Sequence, residues 1–296
     1  MTFPPESLRT ALVNGVSLAY RETGTGEPVV FVHGDLSDLR TWEWQLPVIG
    51  ASYRALAYSR RYARPNADIA PGGINPMPRH VDDLIAFLTA TGAAPAHLVG
   101  NSWGAFISLL AAVRRPDLVR SLVLEEPPVV PLYLSSPPRP AELPLLVRRP
   151  RVLRALARFT TRTVTPVKRY FRAGEDELAM RTFLRGVLDD VAYGRLAEDR
   201  VPQMRENLTA LRAGLFRAGF PPVDPAAVRG LAVPTLLVTG VHSASLLHLL
   251  SERLAELLPD VRSVEIAHAS HLMHEENPKA VNDAILGFLG SLGGLG

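Results

Sequence analysis

The chain contains no cysteine, which excludes disulfides, thiolate metal sites and a cysteine nucleophile. No run approaches the ~18 apolar residues of a membrane helix. The opening residues, Met1-Thr2-Phe3-Pro4-Pro5-Glu6, have neither the basic nor the apolar region of a secretory signal. A cytoplasmic protein without a membrane span is therefore expected. Excess charge is also small: 32 Lys and Arg against 29 Asp and Glu leave +3. No aromatic-interleaved basic motif accompanies it, so no nucleic-acid partner is expected. What is present is ordinary globular composition, 47% hydrophobic over 296 residues. That is enough for one large core, or for a core with an inserted subdomain. The 26 prolines imply fixed loops rather than disorder, given the apolar content.

One stretch organises the rest. Ala96 to Val99 reads as a buried strand, and Ala105 to Val113 as a helix that Pro116 stops. Between them Gly100-Asn101-Ser102-Trp103-Gly104 fits the G-x-S-x-G nucleophile elbow. A serine on so sharp a turn needs small neighbours two positions away on either side. The helix N-terminus beneath it offers free N–H groups to a developing oxyanion. A Gly-rich turn that merely closes a sheet is the plainer alternative, and the remaining chain has to decide.

Arg9–Val13 and Val16–Tyr20 flank Asn14-Gly15, a strong hairpin signal. Pro28–Val32 and Tyr53–Tyr58 read as buried strands, the first ending in His33-Gly34-Asp35. Val81, Leu84, Ile85 and Leu88 mark an amphipathic helix, and Leu118–Leu124 another strand running into Glu125-Glu126. From 129 to about 222 the alternation stops: prolines crowd 127–150, then helices are expected over Val152–Phe159, Glu177–Leu188 and Met204–Arg217. It resumes with strands Pro234–Thr239 and Val261–Ala267, a helix over Leu246–Leu258 and a last one opening at Asn277-Pro278. The tail from Gly290 is expected to fray. The order predicts an α/β fold, a mostly parallel twisted sheet flanked by helices, with a helical insertion. Serine early and histidine late, both at C-terminal strand ends, would share one crevice.

Taken together, F-V-H-G with Trp42 downstream, S-R-R at 59–61, G-N-S-W-G, R-R-P-D-L-V-R-S-L-V-L and H-L-M-H-E-E-N-P resemble the α/β-hydrolase superfamily, in its cap-bearing, cofactor-independent branch. The resemblance covers about 10–128 and 230–290. It implies a core of 1–128 and 230–296, a helical cap over 129–229, and no cofactor or metal. Among relatives the catalytic histidine precedes a Glu by five residues and a Pro by seven. Here that spacing selects His271, with Glu276 and Pro278, over His268 and His274. The backbone N–H groups of Asp35 and Trp103 would form the oxyanion hole, and the Trp103 side chain would wall the pocket. His33, Trp42 and Glu125 are candidate pocket residues, with His33 more suited to holding its loop.

The acid departs from the pattern. Relatives usually carry Asp in a G-x-x-D turn, where this chain reads Gly240-Val241-His242-Ser243. Some instead place the acid after the strand that follows the elbow, which here ends in Glu125-Glu126. Successive strand residues face opposite ways, so one of the two should reach His271; position favours Glu126. The resemblance then implies a serine hydrolase working through an acyl-enzyme, and an apolar cap over the crevice suits a small-molecule substrate that is a medium or large hydrophobic ester, lactone or thioester. Dehalogenase and epoxide-hydrolase chemistry is disfavoured, since in the family both use Asp at the position of Ser102. A lyase, a cyclase or a ligand-binding module on the same fold is the alternative. In the cap, 143–174 holds nine Lys and Arg and no Asp or Glu. Arg154, Arg158 and Arg162 share a helix face opposite Val152, Leu153, Leu156 and Phe159. This is either a solvated face or a docking surface for an acidic partner, such as an acyl-carrier protein or a membrane surface.

Overall fold

A computed structural model describes residues 8–70, 72–135, 139–217 and 219–293. Eight strands form one sheet in the order β1-β2-β4-β3-β5-β6-β7-β8. They are β1 (Arg9–Val13), β2 (Val16–Thr23), β3 (Pro28–Val32), β4 (Arg54–Tyr58), β5 (Ala96–Asn101), β6 (Val119–Glu125), β7 (Thr235–Gly240) and β8 (Val261–Ile266). β1 and β2 pair antiparallel through Val13 and Val16, with Asn14 and Gly15 both at positive φ (45° and 75°), as a two-residue hairpin requires. β2 meets β4 antiparallel, and every later pairing is parallel. The apolar runs of β3 to β7 are buried because helices cover both faces of the sheet.

One face packs beneath helices Met77–Ala90, Trp103–Arg114 and Ser245–Ala255, through Leu84, Phe87, Phe106, Leu109 and Leu250. The other packs against the 39–49 segment and helix Pro278–Gly293, through Trp42, Ile49, Ile285 and Phe288. Because β3 lies between β4 and β5, the chain leaves β3 to one side and returns on the other. That reversal opens a crevice at the C-terminal strand ends.

The segment between β6 and β7 is helical throughout its regular structure. Its first part, including Val152 and Leu156 of helix Pro150–Phe159, joins the main core. Its later part has a cluster of its own, built on Val167, Phe171, Met180, Leu184, Leu188 and Leu211, into which the core sends Leu36. Several expectations change here. Leu153 is 43% exposed rather than buried with Val152. A π turn, Thr160–Val164, follows helix Pro150–Phe159 and breaks the regular spacing at Arg162. It leads into an unexpected helix, Thr165–Ala173, signalled by Pro166 in its first turn and ended by Gly174 at φ 76°.

The expected helix Met204–Arg217 is two, Arg200–Glu206 and Leu208–Arg217. The break falls at Asn207, whose buried amide donates to Asp38 Oδ2 (2.8 Å) and Gln203 O (2.8 Å) and accepts from Arg64 N–H (2.8 Å). Gly290 to Gly293 continue the last helix instead of fraying, because Phe288 and Leu289 dock that turn; 294–296 lie outside the described residues. No helix among the described residues is long and apolar enough to cross a membrane.

Candidate active site

Ser102 sits between β5 and helix Trp103–Arg114 at φ 50°, ψ −118°, a conformation that costs a non-glycine residue of order 1–3 kcal/mol. The flanking glycines make it attainable. A Cβ on Gly100 would stand 2.6 Å from Ala105 N, and one on Gly104 would stand 2.0 Å from Val32 O. The turn is pinned by Ser102 N–H donating to Glu125 O at 2.8 Å.

The 33–35 loop packs against this elbow: a Cβ on Gly34 would come 3.2 Å from Ser102 Cβ. Arg60 holds the loop from beneath. Its Nε donates to His33 O (2.9 Å), and its Nη2 to Gly34 O (2.8 Å) and Asp35 Oδ1 (3.1 Å). Arg60 N–H donates to His33 Nε2 (2.8 Å), so His33 Nδ1–H donates to Gly34 O (2.8 Å). Burial, then the Arg60 charge, pushes the His33 pKa well down, and this histidine is a neutral clamp on the loop. Burial pushes the Asp35 carboxyl up while Arg60 opposes it. Sequence reasoning misses the role of Arg60, although the S-R-R motif contains it.

On the far side, Glu126 follows β6 at φ 47° and is fully buried. Its Oε2 lies 2.7 Å from His271 Nδ1, and its Oε1 accepts from Gly240 N–H at 3.0 Å. Gly240 opens the turn in which relatives usually carry the acid. There Ser243 Oγ is buried without a hydrogen-bond partner among the described residues. Glu125 faces away from Glu126 and meets His274 Nδ1 at 2.8 Å. Asp35, Ser102 and His271 line one cavity, roofed by Phe183, Leu184, Val187 and Leu188 of helix Asp176–Gly194. Its volume is about 30 Å³, room for a water or two.

Three candidate pocket residues lie behind this lining rather than on it. His33 is held under the loop, Trp42 is fully buried between Phe31 and His274 (ring centroids 5.1 and 4.5 Å), and Glu125 is paired with His274. The Trp103 indole likewise turns from the cavity toward His80, Phe220 and Gly214, with the Arg60 guanidinium over it. His268 is exposed, on the rim of a separate hollow with His242.

The Alpha/beta hydrolase family model matches residues 29–284. A Mycobacterium tuberculosis protein provisionally named a non-heme bromoperoxidase is 30% identical over 298 residues, covering 94% of this chain and 99% of that one. A haloalkane dehalogenase of Bradyrhizobium diazoefficiens is 26% identical over 313 residues, covering 96% and 94%. The structure of a thermophilic esterase from Thermogutta terrifontis superposes with a TM-score of 0.75 at 20% identity, covering 96% and 98%. At that identity the likeness speaks for the fold.

Proposed function

The chain belongs to the alpha/beta hydrolase family and is an enzyme of that class; from its site we propose that it is a serine hydrolase working through an acyl-enzyme. The observation that carries this reading is the 2.7 Å contact of Glu126 with His271, on the cavity that Ser102 also lines. Glu126 holds Nδ1–H and leaves Nε2 free to take the Ser102 proton. Ser102 Oγ attacks the carbonyl carbon. The charge that develops on oxygen meets the N–H group of Trp103, at the N-terminus of the elbow helix, and that of Asp35 on the facing 33–35 loop. His271 returns its proton to the leaving group and then draws one from water, which releases the acyl group.

A carboxylate in contact with His271 supports hydrolysis over the lyase, cyclase or ligand-binding alternative, which a histidine without an acid partner would favour. Ser102 in place of Asp argues against the chemistry named for the dehalogenase relative. The apolar wall from Phe183 to Leu188 suits the acyl part of a hydrophobic ester, lactone or thioester. We assign 129–229 as the cap. With so little volume beneath it, a substrate of that size would enter by a shift of the part from 165 to 211. Arg151, Arg154 and Arg158 stand exposed on helix Pro150–Phe159, whose other side joins the main core, a surface suited to an acidic acyl-carrier protein.

The test is labelling with a fluorophosphonate. Wild-type protein should lose its esterase activity with one adduct, on Ser102, while Ser102→Ala takes up none. A protein that stays unlabelled at all pH values would remove the acyl-enzyme from consideration.

A further inference from the structure

Two buried ionisable groups, Glu125 and His274, stand outside the mechanism just proposed. Their hydrogen bonds define their protonation. His274 Nε2 lies 2.9 Å from Thr41 Oγ1, and the Thr41 hydroxyl donates to Glu275. The Thr41 oxygen therefore accepts from His274, so Nε2 carries a proton. A second proton lies between Nδ1 and Glu125 Oε2 (2.8 Å). Whichever atom holds it, the pair has no net charge.

The contacts around the pair reach both halves of the catalytic machinery. Glu125 Oε2 accepts from Asn101 Nδ2 (3.2 Å), and the same amide donates to His271 O (3.0 Å). Asn101 immediately precedes the nucleophile. Gln45 Nε2 donates to His274 O (2.8 Å), and the Trp42 ring covers the imidazole.

We infer that Glu125 and His274 are a positioning pair, which fixes the loop carrying His271 and ties it through Asn101 to the strand that presents Ser102. The inference rests on the reading of His271 as the base. Charged groups reach His274 from three elements: Glu125 at the end of β6, Glu275 on its own short helix, Met273–Glu276, and Arg200 on helix Arg200–Glu206. Burial pulls its pKa down, but the charge and hydrogen bond of Glu125 outweigh that and hold it above the ordinary value.

The test compares His274→Asn, Glu125→Gln and the double variant on one neutral ester, with fluorophosphonate labelling in parallel. Asn at 274 can donate toward Glu125 but cannot carry the balancing proton. It leaves a lone buried carboxylate that Asn101 links to the His271 carbonyl, which should raise the acid limb of the kcat/KM profile by about one pH unit. Loosening the loop should lower kcat by roughly 10- to 100-fold with KM little changed. The double variant leaves no carboxylate at 125, so its limb should return to the wild-type pH and part of kcat should recover.

An acid limb unmoved in His274→Asn, with activity lost only in step with thermal stability, would overturn the inference, as would a double variant no better than His274→Asn. Should His274→Asn fail to fold, Glu125→Gln decides. A several-fold fall in kcat at constant KM upholds positioning, and an unchanged kcat overturns it. Wild-type protein that takes no label would instead strike the acyl-enzyme reading and this inference with it. Normal labelling with an unmoved limb would strike the inference alone.

Discussion

Replacing Glu126 by Gln is the most demanding test of the proposed triad, because the exchange preserves size and removes only charge and acceptor capacity. Glu126 accepts two hydrogen bonds, from His271 Nδ1–H at 2.7 Å and from Gly240 N–H at 3.0 Å, and it is fully buried. A carboxylate can accept both, whereas an amide has one oxygen and one NH2 group. If the oxygen faces Gly240, the NH2 group faces His271 and selects the tautomer protonated on Nε2, which cannot take a proton from Ser102. If it faces His271, the NH2 group opposes the Gly240 N–H, leaving a buried donor unpaired. Either arrangement also loses the charge that stabilises the imidazolium. In serine proteases, exchanging the triad Asp for Asn costs about 10⁴-fold in kcat, so a loss of roughly 10²- to 10⁴-fold is expected here. That is about 2.7–5.4 kcal/mol of transition-state stabilisation. The assay is kcat/KM on a chromogenic ester, with circular dichroism to show that the fold is kept. Adding Ser243→Asp in the Glu126→Gln background should restore part of the rate, because that turn already touches position 126 through Gly240. A Glu126→Gln variant within about tenfold of wild type would refute the assignment.

Two further outcomes are expected. If the cap docks an acidic carrier, raising salt from low to about 0.5 M should slow turnover of a carrier-bound thioester but leave a small free ester unaffected; equal slowing of both would count against docking. Stability should fall on acidification from pH 7 to 5. His33 and His80 are buried, and burial holds both pKa values well below 6.5, so below pH 6.5 the unfolded chain takes up protons that the native state refuses. His274 acts oppositely, its contribution being full below pH 6.5 and lost as pH rises through its raised native value. His80→Gln keeps the Nε2–H donor to Asn75 (2.6 Å) and should flatten the acid slope by up to about 1.4 kcal/mol per pH unit. An unchanged slope in chemical denaturation would contradict this account.

The parallel core was legible because its signals are local. β-branched apolar runs, Asn14-Gly15 and the small residues around Ser102 each answer to constraints within a few residues. The later insertion was less so, since its helices end where tertiary partners require: Asn207 breaks a helix to reach Asp38 and Arg64, which lie far away in the sequence. The placement of Glu125 and Glu126 on opposite sides followed from strand alternation alone. What alternation could not supply was a partner for each. His271 and His274 are three residues apart, close to one helical turn, yet they meet carboxylates that are adjacent in β6 and its extension. The positive φ of Glu126 (47°) turns the chain out of the sheet at that point, so one carboxylate enters the core beneath the elbow while the next turns to the Gly240 turn. In the proposed triad the acid therefore comes from a strand end that already aims a carboxylate at the histidine, while Ser243, in the turn where relatives usually carry the acid, keeps its Oγ buried and unpartnered among the described residues.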